Sequence, residues 1–443
     1  MTTSEPYDLV GGPFAVIESD PGVFTALIQK LGVKGLEVIE LYDIEPWAVD
    51  HLNPHGLIFC YMCTEESDNF ETGDELDDPD AERVWFANQL SDDACSSQAI
   101  LNVLLNRPHI YISDELSDFK KITEDMSPVM RGLALSGSHF IRAAQNSLAR
   151  PADIRGGMHA VAATTIEANK HDVGRTSDGS PAKKKRKTSR TTAKSKQKAA
   201  QSVLDSQEAY HFIGYVPARD KVWELDGLRS CALEVGTLPP ECRSEDGRNG
   251  WMDIVRPALR MKMQKYTSGS DHIRYSLLAI VDDRYQKASD ELELLKRERH
   301  ALERRLNNVH PEGWSHKVRR PPLSRRCYSS DPARVYLWTE LPDFGSRKMD
   351  KEIAILDMPV RNLPSAWEAC VKAAIPAKIA AEDEIAKSRD AHTDHIKRTF
   401  DYEPFITEFV TCMHNEGRLD AALRGNSVDE GTAQVKPKPK GRK

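Results

Sequence analysis

The sequence predicts an α/β or α+β core followed by a helical C-terminal extension, and three observations carry that reading. Short apolar runs bounded by turn signals alternate with amphipathic stretches up to residue 284. A 3.5-residue apolar period then begins at Tyr285. Between the core-forming stretches lie polar segments, one acidic and one basic, that hold too little apolar surface to fold alone.

The 443 residues suggest two or three units, joined by long polar stretches because 29% of the chain is charged and only 7% aromatic. The net charge of −7 gives no global basic field for nucleic acid; the charge is segregated into blocks instead. No apolar signal region stands near Met1, and no apolar run approaches the roughly 18 residues that span a bilayer, so no membrane association is expected. Eight scattered cysteines point to a reducing compartment, cytosol or nucleus. The pair Cys60 and Cys63 has C-x-x-C spacing, but it continues an apolar run and has no second pair, so it reads as strand cysteines and no metal is expected.

Residues 1–12 read as a flexible N-terminus. The first helix follows, with Ser19 or Asp20 as its cap, Pro21 in its first turn, Phe24, Leu27, Ile28 and Leu31 on one face and Gly32 as its stop. Strands are expected at 36–41 and 56–62, then an acidic loop at 65–82. A helix begins at Cys95 and ends before Pro108, and further helical pattern runs to Arg150. Residues 151–207 have few aromatics and contain a run of nine basic residues with no acid, so they are expected to be disordered. Core signal resumes with a strand, turn and strand over 208–228, a helix from Met252 and a buried strand near 273–283.

From 285 to 309, Ala288, Leu292, Leu295, Leu302, Leu306 and Val309 form a seam interrupted by Arg299, which favours a long amphipathic, coiled-coil-like helix. Residues 310–365 are expected to be linker, 366–425 a C-terminal helical domain and 426–443 a basic tail able to contact nucleic-acid phosphates. Phe405, Ile406, Phe409, Val410 and Met413 make an apolar stripe too large to leave in water, one that must pack on the core or on another protein.

A cysteine hydrolase needs a thiolate, a base, a group orienting the base and donors for the oxyanion. Cys95 opens a helix, where backbone N–H groups and the dipole favour a thiolate and are expected to lower its pKa. Gln89 is six positions upstream and offers an amide N–H. His211 and Asp226 lie on neighbouring predicted strands, so a hairpin can place the carboxylate where it fixes the imidazole tautomer. On spacing alone, Cys95 reads equally well as a packed core residue or as a nucleophile.

The stretches "FANQLSDDACSSQAI", "AYHFIGYVP" and "VWELDGL" closely resemble the ubiquitin C-terminal hydrolase family of papain-like cysteine peptidases, with further likeness over residues 14–284 to its tailed, proteasome-associated branch. The resemblance implies a knotted fold with a central sheet flanked by helices, a catalytic domain over 13–284, and no cofactor. It makes Gln89 the oxyanion side chain, Cys95 the nucleophile, His211 the base and Asp226 its partner. It also implies a substrate-gating crossover loop from Ala149 to Glu208, far longer here than the family minimum. Asp93 stands where the family usually has Asn, and its charge is expected to raise the thiol pKa. Ser96 and Asn102 replace the Gly and His of short members, as in the tailed branch.

The expected activity is hydrolysis of the bond after the C-terminal Gly of ubiquitin, by an enzyme docked through 366–425 on a proteasomal ubiquitin receptor with a deubiquitinase-adaptor domain. Two alternatives are a chromatin-associated histone deubiquitinase of the same family and a catalytically weak ubiquitin-binding scaffold. Lys183, Lys184, Lys185, Arg186 and Lys187 match a nuclear localisation signal, giving nucleus and cytoplasm as the expected locations.

Overall fold

The computed structural model describes residues 12–63, 79–90, 92–159, 161–162, 209–240, 250–267, 275–314, 318 and 343–423. The acidic stretch up to residue 78, the basic run at 183–187, the crossover segment from 163 to 208 and the tail 426–443 lie outside the described residues.

Six strands form one sheet: β1 Leu36–Glu40, β2 Gly56–Cys63, β3 Ala209–Ala218, β4 Lys221–Asp226, β5 Leu233–Thr237 and β6 Tyr275–Asp282. Their order is β1-β6-β2-β3-β4-β5, and every neighbouring pair is antiparallel. The period of two along β2 sends Ile58 and Cys60 into one core and Leu57, Phe59 and Tyr61 into another, so the sheet is buried on both faces. That is why β2 reads as an unbroken apolar run instead of an alternating one.

The first core is covered by α1 (Pro21–Lys30) and, after the one-turn α2 (Pro46–Val49), by α3 (Cys95–Leu104) and α4 to α6 (Asp114–Thr123, Pro128–Gly137, His139–Asn146). Asp20 caps α1, its carboxylate accepting from the Gly22 and Val23 N–H groups. α3 lies close on β2 because Gly56 has no side chain there: a Cβ would stand 2.4 Å from Val103 Cγ1. The second core is covered by α8 (Trp251–Thr267), through Trp251, Val255 and Leu259.

Two expectations are corrected. Disorder from residue 151 is not observed at its start: residues 151–159 form a helix, α7. Pro151 stands in its first turn, Arg150 bonds Asp153, and Ile154 packs on the first core. The linker at 310–365 also contains regular structure, α10 (Phe344–Asp357) and the start of α11 (Leu363–Thr399). Phe344 and Ile355 are buried, and Lys351 pairs with Glu298 at 2.5 Å. These are tertiary contacts to α9 (Arg284–Val309), which a local composition of Arg and Pro hides.

α9 packs along α11 within the same chain, with Leu295, Leu302 and Leu306 against Trp367, Cys370 and Val371. The buried stripe includes Leu294, which the 3.5-residue seam omits, while Leu292 is half-buried and Val309 exposed. Contact with both α10 and α11 broadens the buried face beyond a two-helix seam. The helical arm ends in α12 (Glu403–Asn415) and α13 (Leu419–Leu423). It meets the sheet-bearing half through Arg398 with Glu18 at 2.6 Å, and through Arg155 of α7 with Asp401 at 3.1 Å and Glu403 at 2.6 Å.

Candidate active site

Extended residues 84–89 run alongside α3, held by amides on one of its faces. The Trp85 N–H donates to Asn106 Oδ1 (2.8 Å), the Ala87 N–H donates to Asn102 Oδ1 (3.0 Å), and Gln98 Nε2 donates to the Ala87 carbonyl (2.6 Å). Gln98, Asn102 and Asn106 are four residues apart, which stacks them on one side of the helix. These amides, Gln98 and Asn102 buried and Asn106 half-buried, satisfy an extended segment that has no sheet neighbour there. They were missed by the sequence reading, although amides spaced by four on an otherwise apolar helix are a visible signal.

Gln89 ends this segment and is half-buried, and its N–H donates to the Gly227 carbonyl at 2.8 Å. Asn88 Nδ2 also donates to Gly227 O, at 3.1 Å. Gly227 sits in so tight a space that a Cβ would lie 2.2 Å from Gln98 Nε2 and 3.0 Å from Gln89 Cβ. The residue after Asp226 is therefore wedged between Gln89 and the Cys95 helix.

His211 and Asp226 are both buried and joined by a 2.7 Å bond from Nε2 to Oδ1. The hairpin register sets Asp226 opposite Ile213, two residues from His211, while His211 itself lies opposite Tyr61 in β2. The Tyr61 ring meets the imidazole edge-on at 5.4 Å. Asp226 Oδ1 also accepts from the Leu228 N–H at 3.1 Å. Burial alone would raise this carboxyl, but the bond to and charge of His211, the Leu228 N–H and Lys262 outweigh it and hold Asp226 below its ordinary range. Since Asp226 holds Nε2, Nδ1 is the ring nitrogen left for chemistry.

Cys95 is the first residue of α3, preceded by a 3₁₀ turn, Asp92–Ala94. The cap position is Ala94, with no side chain accepting from the first turn, so the helix's leading N–H groups have no side-chain cap. The turn is pinned by Gln145, whose Nε2 donates to Asp93 O at 2.6 Å and whose Oε1 accepts from Ser97 Oγ at 2.6 Å.

The expectation of a lowered thiol pKa is corrected here. Burial pushes Cys95 up to about 12, against the pull of its hydrogen bonds with Ser96, and the charges of Cys60 and Asp93 add to the rise. Desolvation outweighs the helix terminus, so the resting group is a protonated thiol. Among the described residues no hydrogen bond joins the Cys95 thiol to His211. The structure thus gathers Gln89, Asp226 and the Cys95 helix around Gly227 and pairs His211 with Asp226, while the thiol and imidazole are not bonded.

Of the other predicted residues, Ala149 is buried at the foot of α7, whereas Glu208 and Lys183, Lys184, Lys185, Arg186 and Lys187 are outside the described residues. Phe405, Ile406, Phe409 and Val410 are exposed on α12, and Met413 is half-buried. No described helix is long and apolar enough to cross a membrane.

Residues 14–264 match the family model of ubiquitin carboxyl-terminal hydrolase, family 1, and residues 376–419 match a second model described as ubiquitin carboxyl-terminal hydrolases. The chain is 32% identical over 297 residues to the ubiquitin carboxyl-terminal hydrolase isozyme L5 of Dictyostelium discoideum, covering 67% of this chain and 70% of that protein. It is 29% identical to ubiquitin carboxyl-terminal hydrolase ubh-4 of Caenorhabditis elegans, over 75% of this chain and 89% of that one. It is 28% identical to ubiquitin carboxyl-terminal hydrolase BAP1 of Danio rerio, over 66% of this chain but only 34% of that protein.

Proposed function

The chain belongs to the ubiquitin carboxyl-terminal hydrolase family and is a thiol-dependent deubiquitinase, and from that premise we propose that Cys95, His211, Asp226 and Gln89 are its catalytic residues. The observation that carries the assignment is Gly227, which ties Asp226 to Gln89 and to the Cys95 helix in one packed unit.

Ubiquitin's C-terminal glycine enters beside Cys95, and His211 Nδ1 takes the thiol proton. A thiol held near 12 does not ionise unaided at neutral pH, so attack depends on the imidazole reaching it in the substrate complex. The thiolate adds to the glycine carbonyl, and the Gln89 side-chain amide and the Cys95 N–H hold the oxyanion. One such donor is worth about 3 kcal/mol in the transition state. The C–N bond then breaks, His211 delivers its proton to the leaving amine, and a thioester remains. Water deprotonated by His211 attacks the thioester and frees ubiquitin. Asp226 keeps the proton on Nε2 throughout.

The site of action on this reading is the proteasome regulatory particle. Support comes from the match at 376–419, from the likeness to isozyme L5 and ubh-4, and from the exposed α12 stripe, which fits the adaptor-type domain of a ubiquitin receptor. The segment from Ala149 to Glu208 gates access to Cys95. The run Lys183–Lys187 directs part of the protein to the nucleus, leaving the rest in the cytoplasm. A second reading, removal of ubiquitin from histones in a chromatin complex, draws on the BAP1 likeness and the basic tail 426–443. Co-purification with proteasome subunits supports the first, and with chromatin proteins the second.

The chemistry is tested with ubiquitin bearing a C-terminal thiol-reactive group. A covalent adduct is expected from the natural protein and none from Cys95→Ala. An adduct that persists in that variant would remove Cys95 as nucleophile.

A further inference from the structure

At the end of α3 remote from Cys95, about 15 Å along the helix, is a cleft of about 610 Å³. Arg83, Arg107, His109, Lys120, Arg131 and Arg219 line it, contributed by five separate segments of the chain. Arg107 and Arg131 are buried in its wall and spend N–H groups on backbone carbonyls: Arg107 on Pro217, Arg131 on Val84, Phe86, Thr123 and Glu124. The positive charge of Arg131 stays at the cleft wall, because carbonyl oxygens do not neutralise it.

Two other cations are less engaged. Among the described residues, Lys120 Nζ makes no hydrogen bond and no ion pair. Arg219 donates only through Nε, to the Arg83 carbonyl at 3.2 Å, which leaves the ends of its guanidinium fork unused. Arg219 and Asp220 form the β3–β4 turn with φ of 53° and 61°, a left-handed pair that usually calls for Asn or Gly. The chain accepts that conformation while setting an arginine over the cleft. Glu82, Glu124 and Asp220 also line it, three acids against five Lys and Arg side chains. Burial holds the Lys120 ammonium below its ordinary range, with Glu124 opposing and Arg219 adding to the lowering, so an anion between the two cations relieves an existing repulsion.

We propose that this cleft is an anion-binding site for a compact polyphosphate, whose phosphate groups bridge Lys120 on α4 and Arg219 on the β3–β4 turn. A ligand with several anionic groups is favoured over a single carboxylate because the unengaged cations come from different elements. Trp85, the one tryptophan in the lining, is buried with Nε1 bonded to Thr123 Oγ1 at 3.0 Å, so it offers no face for a base to stack on.

The test is calorimetric titration of the full chain with inorganic tripolyphosphate at fixed ionic strength, beside sodium sulfate. The background carries Lys183, Lys184, Lys185, Arg186, Lys187, Arg190, Lys194, Lys196 and Lys198 changed to Ala, which removes the basic run as a competing site. Saturable tripolyphosphate binding is expected there, weakened at least tenfold by Lys120→Gln with Arg219→Asn. Arg219→Asn alone suits the left-handed turn, so it keeps the fold and serves if the double variant does not fold, with a weakening of at least threefold. No saturable binding in the background, equal binding of sulfate, or binding unchanged by the cleft substitutions would each overturn the proposal.

Discussion

α3 and α12 are both helices with apolar patterns, and the chain treats them in opposite ways. Nine of the ten residues of α3 are buried, whereas none of α12 is. In α3 the amides Gln98 and Asn102 go inside as well, because the 84–89 segment supplies their partners. In α12 the stacked Phe405 and Phe409 rings stay in solvent together with Ile406 and Val410. A periodic pattern therefore announces that a face will be covered, but not by which molecule. The covering neighbour comes from elsewhere in this chain for α3, and for α12 it is sought in a partner.

The catalytic half is where substitutions should cost most. Asp226→Asn keeps size and shape but offers an amide where the His211 proton needs an acceptor, so kcat should drop about 10⁴-fold with the circular dichroism spectrum unchanged. A drop of less than tenfold would demote Asp226 to a structural residue. Within α3, Ile100→Ala should lower unfolding stability by about 2–5 kcal/mol in urea titrations, since the side chain is fully buried in the first core. Gly227→Ala should follow at about 1–3 kcal/mol, with a fall in kcat, because the new methyl group meets Gln98 and Gln89. An active, undisturbed Gly227→Ala protein would break the claim that this glycine organises the site.

Two groups set pH limits on the same half. Asp226 has a depressed folded pKa, so its stabilising contribution is present above its unfolded value and is lost as pH falls through the folded one, in the acid range below about 4. Cys95 has a raised pKa, so its contribution is complete below the unfolded thiol value and disappears as pH climbs from about 9 towards about 12. Stability followed against pH should fall less steeply above pH 9 in Cys95→Ala than in the natural protein. Matching alkaline slopes would show that the thiol is not desolvated in solution.

Much of this was legible in the sequence for a physical reason: caps, strand runs and helix starts are local. Asp20, Pro21 and Gly32 bound α1 with side chains near in sequence, and β2 needed only its own apolar run. The spacing of His211 and Asp226 anticipated a hairpin pair that the register provides. What stayed hidden depends on distant partners. α10 reads as polar linker because its stability comes from α9, and α7 reads as disordered because Arg155 finds its acids some 250 residues later, at Asp401 and Glu403. The thiol pKa stayed hidden in the same way, since the desolvation of the partly buried Cys95 is a property of the assembled core that no helix start encodes.

The smallest expected effect on stability falls on α12 and sharpens the comparison most. Phe405→Ala with Phe409→Ala removes two large side chains, yet both are more than half exposed, so the unfolding free energy should move by no more than about 0.5 kcal/mol. If α12 instead folds back on the catalytic half in solution, the same pair should cost several kcal/mol, as a core truncation does. The double variant should also keep its turnover of a small ubiquitin C-terminal ester while losing retention on immobilised proteasome regulatory particles. Retained proteasome binding in the double variant would leave the stripe without that partner, and a loss of both stability and turnover would mean that α12, like α3, is covered by its own chain.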